Sequence, residues 1–298
     1  MSLNALNDQY GIPSFIEFKE GKSGFTFVHI KNCYGEAEIS LYGGQVTHFQ
    51  LLGDAPILWM SPLSKFIPGK AIRGGIPICW PWFGPHPNDS ILPQHGIARI
   101  SNWSMVDACL LEDERVRVRL RCDQDKIDQL ANWKGVELEL SITLGETLRL
   151  DLCTRNQTSE TIAVGGALHT YFKVEDIHQV VVQGLEATHY QDKLDQYKRK
   201  LQEESVVFTG ETDREYLDTK SDCILIDKAN SRTLEVSKEG SATTVLWNPW
   251  QANSEKMTDF SDDGFRHMVC IEAAITNNDS QMILSGESHI LSQTIALK

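Results

Sequence analysis

Apolar and polar residues alternate in short segments over most of this chain, and this period of two constrains the fold more than any other feature. Successive side chains of a β-strand point to opposite faces, so alternation predicts strands with one buried and one solvated face. Burial on one side only is typical of antiparallel sheets. The predicted strands cover residues 25–30, 37–42, 115–122, 136–144, 148–154, 180–185, 243–247 and 268–273.

The density of these strands, and short polar turns such as residues 144–147, predict an all-β fold. We expect a large antiparallel β-sandwich with few short helices. Sandwiches of this length often form one domain, and the sequence has no linker or low-complexity run, so a single domain is expected over residues 1–298, with its core from about residue 25. One or two helical turns are predicted at residues 124–133, and a polar excursion between strands at residues 190–201.

Charge and cysteine content limit the partners and the compartment. The chain has 28 basic and 41 acidic residues, a net charge of −13, so neither nucleic acid nor a membrane is an expected partner. The first ten residues do not resemble a signal peptide, and no run of 18 apolar residues occurs. The seven cysteines form no C-x-x-C pair, which favours free thiols in a reducing cytoplasm. We also expect a monomer.

Residues 72–86, with the sequence IRGGIPICWPWFGPH, suit neither a helix nor a central strand. Proline fixes φ and removes a donor, while glycine adopts conformations closed to other residues, so this segment is predicted to be a rigid, shaped loop. A second cluster, PQHGIAR, follows at residues 93–99. Together the two loops predict a site for a polar, anionic small molecule. Their aromatic rings either line that site or pack in the core beneath it.

Arg73 and Arg99 are the candidate anion ligands in these loops. The planar guanidinium fork binds carboxylate or phosphate bidentately, and a local basic cluster is needed to overcome the negative net charge. Gln94 is a candidate donor to a ligand hydroxyl. A structural ion pair for each arginine, and a loop-stabilising hydrogen bond for Gln94, are the alternatives that the sequence leaves open.

Two further residues are candidates for proton transfer. His169 lies in an apolar and aromatic segment that is predicted to be a strand entered through Gly165 and Gly166. Histidine gives and takes protons near neutral pH, although a single histidine in a strand is also a common structural residue. Glu272 lies inside the apolar strand at residues 268–273. Burial would raise its pKa and make it a better base near neutral pH, whereas a structural role would require a specific partner.

Several motif classes are absent from the sequence, namely the phosphate-binding loop, the dinucleotide-binding glycine motif, the zinc motif H-E-x-x-H and the nucleophile motif G-x-S-x-G. The histidines are dispersed without metal-ligand spacing. We therefore expect no metal site and no cofactor.

Five ordered segments together resemble the glucose-6-phosphate 1-epimerase (hexose-6-phosphate mutarotase) branch of the galactose mutarotase-like superfamily. They cover residues 73–86, 94–99, 167–172, 245–250 and 268–272. The resemblance runs from about residue 25 to the C-terminus and implies an antiparallel β-supersandwich. It also implies two catalytic residues, His169 and Glu272, and four substrate-binding residues, Arg73, Gln94, Arg99 and Asp213. Asp213 is the least secure of these, because Asp195 or Asp218 lies close to it in the sequence.

The reaction implied by this resemblance is the interconversion of the α and β anomers of D-glucose 6-phosphate or another hexose 6-phosphate. It needs a base for the C1 hydroxyl and an acid for the ring oxygen, with Glu272 ionised and His169 protonated as the expected starting state. The alternatives are an aldose 1-epimerase for unphosphorylated hexoses, a non-catalytic sugar-phosphate-binding protein and a glycoside hydrolase or lyase. Two arginines favour a phosphorylated sugar, and a histidine with a glutamate favours catalysis over binding alone. A hydrolase commonly uses two carboxylates instead.

Overall fold

The computed structural model describes residues 1–130, 133–276 and 279–298, and strands dominate them. Their pairings are antiparallel, as the alternation predicts. In chain order the strands are β1 Ile16–Glu20, β2 Thr26–Lys31, β3 Gly35–Ser40, β4 Gln45–Leu51, β5 Ile78–Cys79, β6 Trp103–Leu110, β7 Val116–Cys122, β8 Val136–Leu144, β9 Thr147–Asn156, β10 Ile162–Val164, β11 Gly166–Leu168, β12 Tyr171–Lys173, β13 Val180–Gln183, β14 His189–Asp192, β15 Lys198–Leu201, β16 Val206–Val207, β17 Thr212–Tyr216, β18 Cys223–Asp227, β19 Arg232–Glu239, β20 Thr243–Asn248, β21 Met268–Ile275, β22 Gln281–Ile283 and β23 Ser288–Leu297.

Helices are short. The α-helices in the described residues are α1 Leu3–Tyr10, α2 Gln124–Asp128 and α3 Trp250–Ser254, and the 3₁₀ turns are Lys22–Gly24, Ala98–Ile100, Glu112–Glu114, Ile177–Gln179, Lys193–Asp195 and Gly264–His267. The predicted helix at residues 124–133 is confirmed over α2, where the Asp123 side chain caps the backbone N–H of Asp125, and residues 131 and 132 of that prediction lie outside the described residues. Helix α1 was not predicted. None of the helices in the described residues has the length and apolar character needed to span a lipid bilayer.

Two large sheets form the sandwich. One has nine strands in the order β16-β13-β18-β19-β23-β9-β8-β7-β6, and the other has the order β15-β14-β17-β20-β21-β11-β5, with β12 also paired to β21. The apolar side chains of β8 alternate inward, and Gln293 of β23 connects the two sheets by donating to the carbonyl of Ile271 in β21, at 3.1 Å. The predicted all-β sandwich is therefore confirmed. Strands β1–β4 form a further sheet, and β10 pairs with β22.

Strand β21 is buried along its whole length, in contrast to the alternating strands of the nine-stranded sheet. One of its faces packs toward β23, as the bond from Gln293 shows, and the other carries Glu272. Burial on both faces explains why this segment reads as a continuous apolar run in the sequence. A carboxylate in that run is consequently buried too, with 1% of the Glu272 surface exposed.

The predicted polar excursion at residues 190–201 is wrong. These residues form most of a hairpin in which β14 pairs with β15, joined by the turn Lys193–Asp195. The hairpin lies at the outer end of its sheet, and its two strands are mostly half-buried or exposed. An edge hairpin that packs weakly on both faces has no apolar alternation, so the sequence pattern gave no sign of it.

The seven cysteines are free. Four of them are buried, two are half-buried and Cys33 is exposed. Burial raises the pKa of the thiols of Cys79, Cys122 and Cys223 to about 12 in each case, so these three are inert packing groups at neutral pH.

Candidate active site

A cavity of about 380 Å³ opens on the eight-stranded sheet, on the side of β21 that carries Glu272. It contains all six side chains that were named as site residues from the sequence, although they come from distant parts of the chain. Its lining consists of Arg73, Phe83, Gln94, His95, Arg99, His169, Tyr171, Lys193, Asp213, Val245, Trp247, Met257 and Glu272.

The strand register brings His169 and Glu272 together. Leu168 pairs with Ala273 and Tyr171 pairs with Cys270, which are two points of one register between β21 and its neighbours β11 and β12. His169 therefore stands opposite Glu272. The predicted strand at residues 165–172 is interrupted here, since His169 and Thr170 separate β11 from β12. The His169 backbone N–H donates to the Pro77 carbonyl instead, at 3.1 Å.

The two side chains meet at the buried floor of the cavity. His169 Nδ1 lies 3.3 Å from Glu272 Oε1, and the side chains are 10% and 1% exposed. The contact is not aligned as a hydrogen bond, and within the described residues neither His169 Nδ1 nor Glu272 Oε2 has a hydrogen-bonding partner. The Tyr171 ring stacks on the imidazole with centroids 4.8 Å apart and planes 8° apart, which fixes the plane of the ring.

Burial disfavours charge on both members of this pair. It raises the pKa of Glu272 well above its ordinary value, and the neighbouring carboxylates of Asp213 and Glu215 add to the rise while Lys193 opposes it. Burial also lowers the pKa of His169, as do the cations of Arg99 and Arg73. Both pKa directions therefore oppose the expected starting state, in which Glu272 is ionised and His169 is protonated, and that starting state stays a prediction.

Two glycines allow the first loop to pass close to the neighbouring backbone. Gly74 and Gly75 have φ of +107° and +64°, and a Cβ on Gly75 would lie 2.2 Å from the Val46 carbonyl oxygen. Of the aromatic residues beside them, Phe83 lines the cavity, whereas Trp80 is a core residue that donates through Nε1 to Thr154 Oγ1 at 2.9 Å. Both alternatives for the aromatic run are thus realised, by different rings.

Arg73 lines the cavity but already has a carboxylate partner. Its Nε and Nη2 donate to the two carboxylate oxygens of Asp259, at 3.2 and 3.3 Å, and its Nη1 donates to Tyr171 Oη at 3.1 Å. Burial alone would lower the pKa of the guanidinium, but Tyr171 and Asp259 outweigh burial and raise it. The structural ion pair that the sequence left open for an arginine is therefore present here.

Arg99 has a different environment. Its Nη2 donates to the Gln94 carbonyl at 2.8 Å, and among the described residues its guanidinium has no carboxylate within ion-pair distance. Its Nε is buried without a hydrogen-bonding partner in the same set of residues. Arg99 is thus the cavity guanidinium whose charge is least compensated by the protein, and Gln94 beside it is exposed at the cavity mouth.

Gly96 connects the second loop to the first. Its φ is +74°, and a Cβ there would lie 1.9 Å from the Trp80 carbonyl oxygen, to which the backbone N–H of Ile97 donates at 2.8 Å. The preceding residue, His95, lines the cavity, and its Nδ1 accepts from the backbone N–H of Gly84 at 3.3 Å. Burial lowers the pKa of His95, and the cation of Arg99 adds to this, so a neutral ring that carries its proton on Nε2 fits the site.

The third group of side chains comes from β17 and from the turn of the edge hairpin. Asp213 lines the cavity, whereas Asp195 and Asp218 do not. Lys193 Nζ lies 3.2 Å from Asp213 Oδ1 and 3.1 Å from Glu215 Oε1. Lys193 and Glu215 were not predicted. Glu215 could have been found from its position two residues after Asp213 in a strand, whereas Lys193 depended on the hairpin that the sequence did not reveal.

Three side chains with metal-ligating atoms also converge at this floor. One ligand atom each of His169, Cys270 and Glu272 lies within 4.8 Å of the others, and all three residues are buried. Burial raises the pKa of the Cys270 thiol, and Glu272 adds to the rise, so the sulfur is a protonated thiol rather than the thiolate that a metal requires. The expectation that no metal takes part stays a prediction.

The overall fold of this sandwich is shared with a solved structure whose title names a mutarotase. A crystal structure from Salmonella typhimurium, titled a "putative mutarotase (YeaD)", superposes on this chain with a TM-score of 0.88 and 27% identity, over 99% of this chain and 98% of the other. The sequence profile of the family described as Aldose 1-epimerase matches residues 26–296. This chain therefore belongs to the aldose 1-epimerase family.

Two relatives support the assignment. A protein of Cenchrus ciliaris is 37% identical over 276 residues, which cover 88% of this chain and 82% of the relative. A protein of Escherichia coli strain K12 is 31% identical over 258 residues, with 86% and 85% covered. Both carry the name "putative glucose-6-phosphate 1-epimerase". The chain is accordingly an isomerase that interconverts the anomers of a small-molecule sugar.

Proposed function

We propose that this enzyme interconverts the α and β anomers of a hexose 6-phosphate, and that D-glucose 6-phosphate is its principal substrate. One observation carries the proposal: His169 and Glu272 stand in register, 3.3 Å apart, in a cavity that also contains the uncompensated guanidinium of Arg99. The names of the relatives support the choice of sugar. Gln94 and Asp213 are proposed to bind sugar hydroxyls. The cytoplasmic location and the monomeric state remain predictions.

In the proposed mechanism Glu272 takes the proton of the C1 hydroxyl while His169 protonates the ring oxygen. The bond between C1 and the ring oxygen breaks, and the sugar opens to the aldehyde. Rotation about the C1–C2 bond then exposes the other face of C1. Reclosure returns one proton from Glu272 to the C1 oxygen and the other from the C5 hydroxyl to His169, so the enzyme ends as it began. The two side chains assist this breaking and re-forming of the C–O bond by proton transfer, and each positioned proton transfer is worth roughly 10²–10⁴-fold in rate.

The burial of the pair assists ring opening. Before opening, the assigned roles need an ionised Glu272 and a protonated His169, and after opening both groups are neutral. Because burial raises the pKa of Glu272 and lowers that of His169, the cavity favours the state that follows opening. The charged state before opening is consequently the less stable one, and moving one proton onto the sugar and one off it relieves that instability.

A phosphate on the sugar requires local positive charge, since the chain as a whole carries −13. Arg99 is the proposed phosphate ligand. Arg73 is a weaker candidate than the sequence suggested, because its fork is already bonded to Asp259. This ion pair also favours a second candidate function, an aldose 1-epimerase for unphosphorylated hexoses. A neutral sugar does not need a free guanidinium in the cavity, so the pairing of Arg73 with Asp259 does not hinder its binding.

Exchange NMR at anomeric equilibrium tests the proposal directly. The panel consists of the 6-phosphates of glucose, galactose and mannose together with the free hexoses, each measured with native protein and with Glu272→Gln as the inactive control. We expect the largest acceleration with D-glucose 6-phosphate. Acceleration only with free hexoses would establish the second candidate instead, and rates equal to the uncatalysed ones on every sugar would refute both.

A further inference from the structure

Lys193 is a cavity side chain to which the proposed mechanism gives no role. It begins the turn between β14 and β15, and its side chain, only 17% exposed, reaches from this edge hairpin into the cavity. Its Nζ lies 3.2 Å from Asp213 Oδ1, 3.1 Å from Glu215 Oε1 and 4.8 Å from the centre of the Phe83 ring. Each of these contacts holds the ammonium group at one place on the cavity wall.

The strand register shows why a cation is needed there. Glu215 pairs with Val245, and Val245 pairs with Glu272, so two carboxylates share one row across β17, β20 and β21. Asp213 lies two residues before Glu215 and faces the same side. Asp213 and Glu272 line the cavity that is proposed to receive an anion, and the buried Glu215 lies on the same face of the sheet. Neighbouring negative charges disfavour each other's ionisation, and the burial of Glu215 and Glu272 reduces screening by solvent.

The pKa directions agree with this geometry. Burial raises the pKa of Asp213, and Glu215 adds to the rise, whereas Lys193 opposes it. Lys193 likewise opposes the rise of the Glu272 pKa. The pKa of Lys193 itself is raised, since Asp213 and Glu215 outweigh the effect of burial, and the amine therefore stays protonated. Glu211 adds to the rise of the Asp213 pKa. Other charged or titratable side chains in the cavity are Arg73, Arg99, His95 and His169.

We propose that Lys193 is a positioning residue for the anomer interconversion, which holds Asp213 as a carboxylate against the sugar hydroxyls and offsets the charge of the acidic row. The inference rests on the proposed function. Lys193 acts through Asp213 rather than on the phosphate, because two carboxylates already accept from its ammonium group. Removal of Lys193 should therefore lower kcat/KM on phosphorylated and free sugars alike, in contrast to the removal of Arg99.

A double-mutant cycle tests this role. Lys193→Met removes the charge at similar length, Lys193→Arg restores a cation, and Asp213→Asn removes the partner. Lys200→Met is the matched control, since Lys200 lies on the same hairpin and contacts Asp192 and Asp195 outside the cavity, at 2.7 and 3.0 Å. We expect Lys193→Met to lower kcat/KM by about tenfold or more on both sugars, and the double variant to be no worse than Asp213→Asn. Lys193→Arg should recover most of the loss, and Lys200→Met should behave as native.

Three results would overturn the proposal. They are additive losses in the double variant, a loss confined to the phosphorylated sugar, and an equal loss in Lys200→Met. The affinity of the same variants for glucose 6-phosphate is also measured by calorimetry, and thermal melting confirms that each variant is folded. If the native protein catalyses no exchange, the proposed function fails, whereas the coupling of Lys193 to Asp213 in ligand affinity is still determined.

Discussion

The replacement of Arg99 by alanine gives the sharpest test of how the enzyme selects its substrate. Within the described residues Arg99 is a cavity guanidinium without a carboxylate partner, and its one hydrogen bond to protein goes to the Gln94 carbonyl at 2.8 Å. Its charge is therefore available to a phosphate. A hydrogen bond to a charged group contributes roughly 1.5–3 kcal/mol. That range corresponds to a factor of about 10–150 in affinity.

We expect Arg99→Ala to raise the KM for hexose 6-phosphate by this factor, with kcat changed much less. An interaction made equally in the ground state and the transition state appears in KM, whereas lost proton transfer appears in kcat. The KM for free hexose should barely move. The measurement is the steady-state kinetics of anomer interconversion on both sugars, together with thermal melting of each variant. Arg99→Lys keeps the charge without the fork and should give an intermediate KM.

Arg73→Ala is the matched comparison, because Arg73 also lines the cavity but is bonded to Asp259 and Tyr171. Its loss leaves a half-buried carboxylate unpaired and removes the partner of a ring that stacks on His169. We expect lower thermal stability and similar losses on both sugars. If Arg99→Ala also lowered activity equally on phosphorylated and free hexose, Arg99 would shape the loops rather than bind phosphate, and the unphosphorylated aldose would become the better substrate assignment.

Four further results are expected. Glu272→Gln and His169→Asn should each lower turnover by at least about 10²-fold with little change in melting temperature, and near-native exchange rates in both variants would contradict the proposed mechanism. Activity should be unchanged after exhaustive chelation and dialysis, and a loss restored by a divalent ion would reveal a metal requirement. Activity should fall on the acid side well below pH 6.5, the ordinary histidine pKa, and on the basic side well above pH 4.5, the ordinary glutamate pKa. The reason is that the pair acts only while it carries one titratable proton. An acid limb at or above pH 6.5 would show that the pKa of His169 is not lowered. Gly96→Ala should lower both stability and activity, because the added Cβ would overlap the Trp80 carbonyl oxygen. Gly53 has a φ of +81° and open space around it, so Gly53→Ala should cost only the backbone strain. Equal behaviour of the two variants would refute the packing argument.

The sequence by itself determined the class of fold. Strands β8 and β7 were predicted at or within one residue of their bounds. Each has one face in the core and one face toward solvent, so apolar and polar residues alternate along its sequence. The apolar run of β21 likewise drew attention to Glu272, which the sequence left either solvated at a strand end or buried, and the structure shows that it is buried. The resemblance of five segments to one family then indicated which residues to expect in the site. The organisation as one domain stays a prediction.

The tertiary structure decided how those residues are used. Register, not sequence spacing, places His169 opposite Glu272 across 103 positions of the chain, and their burial shifts the two pKa values in opposite directions. Asp259 forms an ion pair with Arg73, and the edge hairpin places the Lys193 side chain in the cavity. These partners are distant in sequence and follow no local periodicity. Pairwise charges and desolvation depend on distances in space, and a chain fixes such distances only when it is folded.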